Sequence, residues 1–205
     1  MENNEQLKEI IQRLRSHVII LGAFVIAIWF FELADWILGG SLDQFGILPR
    51  QIIGLRGIVA APVLHGSFGH VAANTVPFVI LGWFVLLRGV RAFAIVTALA
   101  IIIGGLGTWL IAPSASVHIG ASGLIFGFLG YLIFRGYFER SWQSIAWSIG
   151  VLLLYGGMFL GLLPTAMSVS WQMHLFGFIG GGVAAFLLSK SKDENNSVPP
   201  KEPDG

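Results

Sequence analysis

Residues 118–134 read HIGASGLIFGFLGYLIF. The run contains no Asp, Glu, Lys or Arg, and as a helix it is about long enough to cross the hydrocarbon core of a bilayer. Gly123 and Gly127 recur at a spacing of four, which puts small residues on one helical face and lets another helix approach closely. Ser122 precedes them, near the start of the run. The stretch therefore predicts a tightly packed membrane span that opens with a serine.

The whole chain shares this apolar character. Of its 205 residues, 55% are hydrophobic, only 11% are charged and 27 are glycines, which is atypical of a soluble domain. The formal net charge is +1 and no basic stripe is present, so nucleic acid is not expected as a partner. The absence of cysteine excludes disulfides, thiolate chemistry and cysteine metal sites.

Apolar runs of similar length recur along the chain, separated by charges or by clusters of Gly, Pro and Ser. We predict an all-α membrane protein with six transmembrane helices at residues 17–38, 70–87, 92–112, 118–134, 142–163 and 171–189. The connection at residues 39–69 is long and is interrupted by Pro49 and Pro62. The other connections are too short to hold a soluble domain.

Three parts follow from this pattern. Residues 1–16 are predicted to be a cytoplasmic N-terminal segment, residues 17–189 the six-span domain, and residues 190–205 a disordered cytoplasmic tail without apolar periodicity. In the first part, apolar residues recur at helical spacing, at Leu7, Ile10, Ile11 and Leu14. They indicate either an amphipathic helix at the membrane interface or a frayed tail.

The basic residues predict the orientation. All lysines and arginines except Arg50 and Arg56 fall on one side of the six predicted spans. The positive-inside rule places that side, with both termini, in the cytoplasm. The expectation is an integral, multi-pass protein of a bacterial plasma membrane.

A few polar side chains fall inside the spans, where each is costly and needs a reason. His70 and Asn74 have the i,i+4 spacing that sets both on one helical face, while Ser122 and His174 belong to two other spans. We take the lysine or arginine at the cytoplasmic end of each span as the zero of height. Ser122, Asn74 and His174 then lie at heights of roughly 20, 21 and 24 Å, and His70 lies at roughly 27 Å. A lone serine or histidine is usually a packing residue, so only their combination at a common depth indicates a site.

The order of these motifs resembles that of the rhomboid family of intramembrane serine proteases. Members carry a histidine, a second histidine five residues later and an asparagine four after that, then G-x-S-G opening the fourth span, then a histidine in span six. Here these are His65, His70, Asn74, the Gly120 to Gly123 segment and His174. Small residues follow that last histidine in the family, and here they are Gly177, Gly181 and Ala185. The resemblance covers residues 17–189 and implies a six-transmembrane-helix rhomboid-like bundle.

It also implies a serine endopeptidase that cleaves membrane-anchored proteins in or near their transmembrane segments. Ser122 would be the nucleophile and His174 the general base. His70, Asn74 and the backbone N–H of Ser122 would hold the oxyanion, and His65 would be structural. The expected partners are membrane-anchored substrates and the lipid bilayer, with no cofactor and the oligomeric state left open. No metal is expected, because HExxH and acidic ligands at this depth are missing.

Two positions depart from the family pattern. Leu55 stands where many members have Trp, and Phe126 where some have a Tyr packed against the base. An inert rhomboid-like protein that binds or escorts transmembrane clients is the main alternative to an enzyme, and a small transporter the second. The transporter would need buried charges along a path, which the spans lack. His118 is interpreted as a polar loop residue. Glu32 and Asp35 are interpreted as residues at an interfacial helix end.

Overall fold

The computed structural model describes the backbone of residues 2–164 and 170–197 and the side chains of residues 4–164 and 170–190. Within these ranges the chain forms seven α-helices and no β-strand. They are α1 (Glu2–Ile37), α2 (Gly57–Ala60), α3 (Phe68–Leu86), α4 (Val90–Ile111), α5 (Ser122–Glu139), α6 (Trp142–Tyr155) and α7 (Trp171–Ser197). The prediction of an all-helical bundle is confirmed.

Five stretches of the described chain are helical, long and apolar enough to cross a membrane. They are Asn4–Ile37, Phe68–Leu86, Val90–Ile111, Trp142–Leu162, where α6 runs on as a 3₁₀-helix, and Trp171–Lys190. The remaining predicted span corresponds to α5, which is shorter and carries Arg135 and Glu139 near its end. Five candidate spans are therefore found, and a count of six stays a prediction.

Helix α5 forms the centre of the bundle. Every side chain from Gly123 to Leu132 is buried, as expected for a helix that is apolar all round and enclosed by neighbours. Helices α3, α4, α6 and α7 surround it. On the α7 side, a Cβ atom at Gly177 or Gly181 would collide with the carbonyl oxygen of Gly123 or Gly127. The small-residue stripes on α5 and α7 thus pack against each other.

The long connection between α1 and α3 supports the chain that leads into α5. Ile47 and His118 exchange two backbone hydrogen bonds of 2.9 and 3.0 Å, and the Gly120 N–H donates to the Ala61 carbonyl at 2.8 Å. Arg56 lies 4.4 Å from the centroid of the Phe45 ring. Arg56 therefore links two parts of the connection to each other, next to Leu55, which replaces the family's Trp.

The start of the fourth predicted span, placed at residue 118, was wrong. The backbone of His118 pairs with Ile47, and Gly120 has a φ of +116°, a conformation that glycine adopts readily and an α-helix cannot contain. Helix α5 consequently begins only at Ser122 and runs on to Glu139.

Both ends of the predicted span region also differ from expectation. Helix α1 is continuous from Glu2 to Ile37, so no break separates residues 2–16 from the first span. Helix α7 runs to Ser197, past residue 190, where disorder was predicted to begin. Residues 198–205 of the predicted tail lie outside the described residues.

The end of the bundle opposite Ser122 is held by an ion cluster. Glu139 Oε1 lies 2.8 Å from Arg88 Nη2 and 3.0 Å from Arg135 Nε. The cluster ties the end of α5 to the residues that follow α3, and it keeps these arginines at one end of the bundle.

Candidate active site

A cavity of about 670 Å³ lies between α3, α5 and α7. His70, Asn74, Ser122 and His174 all line it. The structure therefore brings the four predicted site residues together around one space.

Ser122 and His174 are in direct contact. Ser122 is the first residue of α5, and His174 lies in the first turn of α7. Ser122 Oγ and His174 Nε2 are 2.8 Å apart. His174 Nδ1 lies 2.9 Å from the Gly161 carbonyl oxygen, which only accepts, so Nδ1 carries the ring proton. Nε2 is then free to accept the hydroxyl proton of Ser122, as a general base requires.

Sequence reasoning missed the part played by Gly161. A backbone carbonyl leaves no side-chain signal, and Gly161 lies in the 3₁₀-helix after α6, thirteen residues before His174. Its lack of a side chain matters as well. A Cβ at this position would lie 3.2 Å from His174 Nδ1 and 3.0 Å from Phe126 Cζ, tighter than ordinary van der Waals contact.

Phe126 fixes the other side of the imidazole. Its ring stacks on that of His174 with centroids 4.2 Å apart and 13° between the planes. Phe126 follows Ser122 by one helical turn, so the same face of α5 presents both the hydroxyl and the stacking ring. The phenylalanine packs against the histidine as the family's tyrosine would.

His70 and Asn74 reach the cavity from the first two turns of α3. A Cβ at Gly120 would lie 2.9 Å from His70 Cε1 and 3.0 Å from its Nε2, so the missing side chain lets the imidazole approach the α5 entry. Asn74 is only 7% exposed, and its Nδ2 has no hydrogen-bond partner among the described residues. Its amide protons are therefore available to a group inside the cavity.

His65 holds the chain next to the serine. It is 1% exposed, and its Nε2 accepts a hydrogen bond of 3.3 Å from the backbone N–H of Ala121. Burial, and secondarily the neighbouring His70, lower the pKa of His65 from 6.5 to about 4. A neutral ring keeps Nε2 as an acceptor at neutral pH, which suits a structural residue.

His118 has a larger structural part than the sequence suggested. It is buried, and its Nε2 and Nδ1 each lie 2.7 Å from a serine hydroxyl, Ser116 and Ser170 respectively. The Ser170 carbonyl accepts a hydrogen bond from the backbone N–H of His174. His118 thus links the entry of α5 to the start of α7. No local pattern reveals this, because Ser170 is 52 residues away in sequence.

Glu32 and Asp35 do not line this cavity. Both lie in the last two turns of α1, as predicted, and both are buried, at 4% and 7% exposure. Asp35 Oδ1 accepts a 2.6 Å hydrogen bond from the backbone N–H of Leu42. Asp35 therefore helps to shape the turn after α1, outside the site.

The rhomboid domain family matches residues 50–191, which include all the cavity residues named above. The chain belongs to the rhomboid family. With several helices apolar enough to span a bilayer, this rhomboid protein is an integral membrane protein.

Curated relatives fall into two groups. The rhomboid chain is 45% identical over 174 residues to an uncharacterized protein of Mycobacterium tuberculosis, covering 81% of this chain and 72% of the relative. An uncharacterized protein of Mycobacterium leprae is 43% identical over 184 residues, covering 85% and 72%. A Bacillus subtilis protein named "Putative rhomboid protease YdcA" is 30% identical over 138 residues, covering 66% and 68%.

Proposed function

We propose that this rhomboid protein is an intramembrane serine endopeptidase that cleaves membrane-anchored proteins in or near their transmembrane segments. The observation that carries the proposal is the 2.8 Å contact between Ser122 Oγ and His174 Nε2, with Nδ1 bonded to the Gly161 carbonyl. This arrangement gives a serine an adjacent base in the correct tautomer. Membership of the rhomboid family supports the same activity.

The first half of the reaction forms an acyl-enzyme. Ser122 Oγ attacks the scissile carbonyl carbon while its proton passes to His174 Nε2, and the carbonyl oxygen becomes an oxyanion. When the tetrahedral intermediate collapses, the C–N bond breaks and the leaving amine takes the proton from Nε2. The substrate is left as an ester on Ser122.

The second half repeats these steps with water. Nε2 accepts a proton from water as its oxygen attacks the ester, and the collapse of the second intermediate returns a proton to Ser122 Oγ. The C–O bond to Ser122 breaks in this collapse, and the products are a carboxylic acid, which loses its proton to water, and the restored Ser122–His174 pair. Water has to reach the cavity for this step, and the volume of about 670 Å³ leaves room for it.

The oxyanion would be stabilised by donors that already face the cavity. The Asn74 amide and the His70 imidazole line it, and the backbone N–H of Ser122 belongs to the first turn of α5. No side chain caps that helix start at Ala121, so its free N–H groups and the helix dipole favour a negative charge there. Such donors stabilise charge strongly where water is scarce.

The substrate class follows from the membrane setting. A transmembrane helix hides its carbonyl groups in its own hydrogen bonds, so the substrate must unwind locally before Ser122 can attack. The skewed distribution of Lys and Arg supports a plasma-membrane orientation with both termini cytoplasmic. The site would then open toward the outer half of the bilayer.

The proposal is tested by reconstituting the purified protein with a transmembrane reporter substrate. Cleavage is expected for the wild-type protein and for Ser41→Ala, which alters an exposed serine outside the cavity. Ser122→Ala and His174→Ala should both be inactive. Cleavage by Ser122→Ala would refute the mechanism, and a wild-type protein that binds the reporter without cutting it would support the client-binding alternative.

A further inference from the structure

A second cavity, of about 740 Å³, lies at the opposite end of the bundle. It is formed by the N-terminal part of α1 and the connection between α3 and α4. Its lining includes Arg13 and His17 from α1 and Arg88, Gly89 and Val90 from the connection. None of its lining residues belongs to the candidate active-site cavity.

The cavity arises where α1 extends beyond the helices that it packs against. His17, Leu21 and Ile28 recur at helical spacing and are buried against the bundle. Upstream of His17 the same face continues through Arg13, but α3 has already ended at Leu86. Only the short connection to α4 remains opposite this part of α1.

The polar part of the lining has the chemistry of an anion site. Arg13 is exposed and has no hydrogen-bond or ion-pair partner in the part of the chain whose side chains are described. Arg88 pairs with Glu139 at 2.8 Å, and its side chain is still 34% exposed. Glu9 also lines the cavity and offsets part of this positive charge.

Two further features favour an anion here. Helix α4 starts at Val90, and its N-cap, Gly89, provides no side-chain hydrogen bond, so the N–H groups of the first turn and the helix dipole face the cavity end of α4. His17 is only 7% exposed, and its Nδ1 has no hydrogen-bond partner among the described residues. A phosphate oxygen accepts hydrogen bonds from backbone N–H groups, and from His17 Nδ1 in the tautomer that carries its proton there.

Gln12 and Ser16 add neutral polar groups to the lining, and its apolar part includes Leu14, Leu87 and Val90. Guanidinium groups beside exposed leucines match a phosphate that carries acyl chains better than a free phosphate. The site also lies at the end of the bundle where the basic residues cluster, the level of the lipid headgroups. We propose that this cavity binds an anionic phospholipid, with its phosphate between Arg13 and Arg88 and its acyl chains along Leu14 and Leu87.

Native mass spectrometry of the detergent-purified protein tests this, with phosphatidylglycerol and phosphatidylcholine supplied at equal concentration. The wild-type protein should retain phosphatidylglycerol in preference. Arg13→Gln should weaken this retention by about tenfold, the effect of losing one charge-assisted hydrogen bond. The matched control is Arg15→Gln, since Arg15 is an exposed arginine on the same helix that does not line the cavity, and it should bind as the wild type does.

Equal retention of the two lipids by the wild-type protein would overturn the proposal without any variant. An equal loss in Arg13→Gln and Arg15→Gln would show diffuse attraction to a basic surface instead of a site, and would also contradict it. If the wild-type protein shows a dimer mass that is lost in Arg13→Gln, the cavity binds a second copy of the chain, and the lipid proposal is wrong. Circular dichroism of each variant checks that α1 remains helical.

Discussion

Gly177 of α7 packs directly on Gly123 of α5, so closely that a Cβ at Gly177 would collide with the Gly123 carbonyl oxygen. Ser122 is the residue before Gly123, and His174 lies three residues before Gly177. The contact between the two glycines therefore sets the separation of the hydroxyl and the imidazole. Small residues at a helix crossing in this way control the geometry of the candidate site.

Gly177→Ala should push α5 and α7 apart and slow turnover. A displacement of about 1 Å in a catalytic pair can cost up to about 100-fold in kcat, and overpacking typically destabilises by about 1–3 kcal/mol. The measurement is kcat on the reporter substrate together with the thermal unfolding temperature. Gly150→Ala on α6, where an added Cβ meets nothing within 4 Å, is the control and should behave as the wild type. A Gly177→Ala protein with wild-type kcat would contradict the account.

Gly161→Ala should also lower kcat, through the base rather than the helix crossing. The new methyl group would press on His174 Nδ1 and on Phe126, which stacks on the same ring. Gly157→Ala, in the same 3₁₀-helix but with open space around its Cβ, should have little effect. Equal kcat values for the two variants would show that the Gly161 contact does not position the imidazole.

Asn74→Ala should slow the chemical step and leave substrate binding nearly unchanged. Losing one oxyanion donor typically costs on the order of 10²-fold in kcat, about 2.7 kcal/mol. The buried Asn74 amide has no partner among the described residues, so its removal should cost little stability. The kinetic constants kcat and KM on the reporter, with thermal unfolding alongside, separate these effects.

His70→Ala combined with Asn74→Ala should be slower than either single variant, because both side chains face one cavity. If Asn74→Ala keeps the wild-type kcat and normal stability, the Asn74 amide serves only as an interhelical contact. The oxyanion assignment would then be withdrawn for Asn74.

Protonation of His65 should destabilise the fold in mild acid. Its pKa is about 4 in the folded protein and near 6.5 when unfolded, so the unfolded chain binds the extra proton between these values. The stability that His65 contributes is therefore complete above pH 6.5 and is lost as the pH falls toward 4, by about 3 kcal/mol at most. His65→Gln, which keeps an acceptor for the Ala121 N–H, should make the unfolding temperature fall less steeply from pH 7 to pH 4. Parallel pH profiles for the two proteins would contradict this.

Much of the fold could be predicted because membrane helices are encoded locally. Length and apolarity alone marked the runs that became α1, α3, α4 and α7. The i,i+4 spacing of His70 and Asn74 predicted that they share a helical face, and the position of Ser122 near the start of an apolar run predicted its place at a helix start. Each of these inferences needs only local sequence information: the residue type, the length of an apolar run or the helical period.

What could not be predicted depends on contacts between distant parts of the chain. The start of α5 is set by the pairing of Ile47 with His118, and the tautomer of His174 by the carbonyl of Gly161. Backbone partners of this kind leave no mark on residue identity. The continuous helix through residues 2–16 was equally hidden, since its apolar spacing fits both a separate helix and a continuation of α1.

The most direct test of the central claim is reaction with a fluorophosphonate probe, followed by intact-mass measurement and peptide mapping. The account predicts one adduct per chain, on Ser122, formed with loss of fluoride from the probe. Labelling should vanish in Ser122→Ala and fall sharply in His174→Ala, because the hydroxyl then lacks the base that lies 2.8 Å away. Undiminished labelling of Ser122→Ala, or an adduct that maps to another serine, would contradict it.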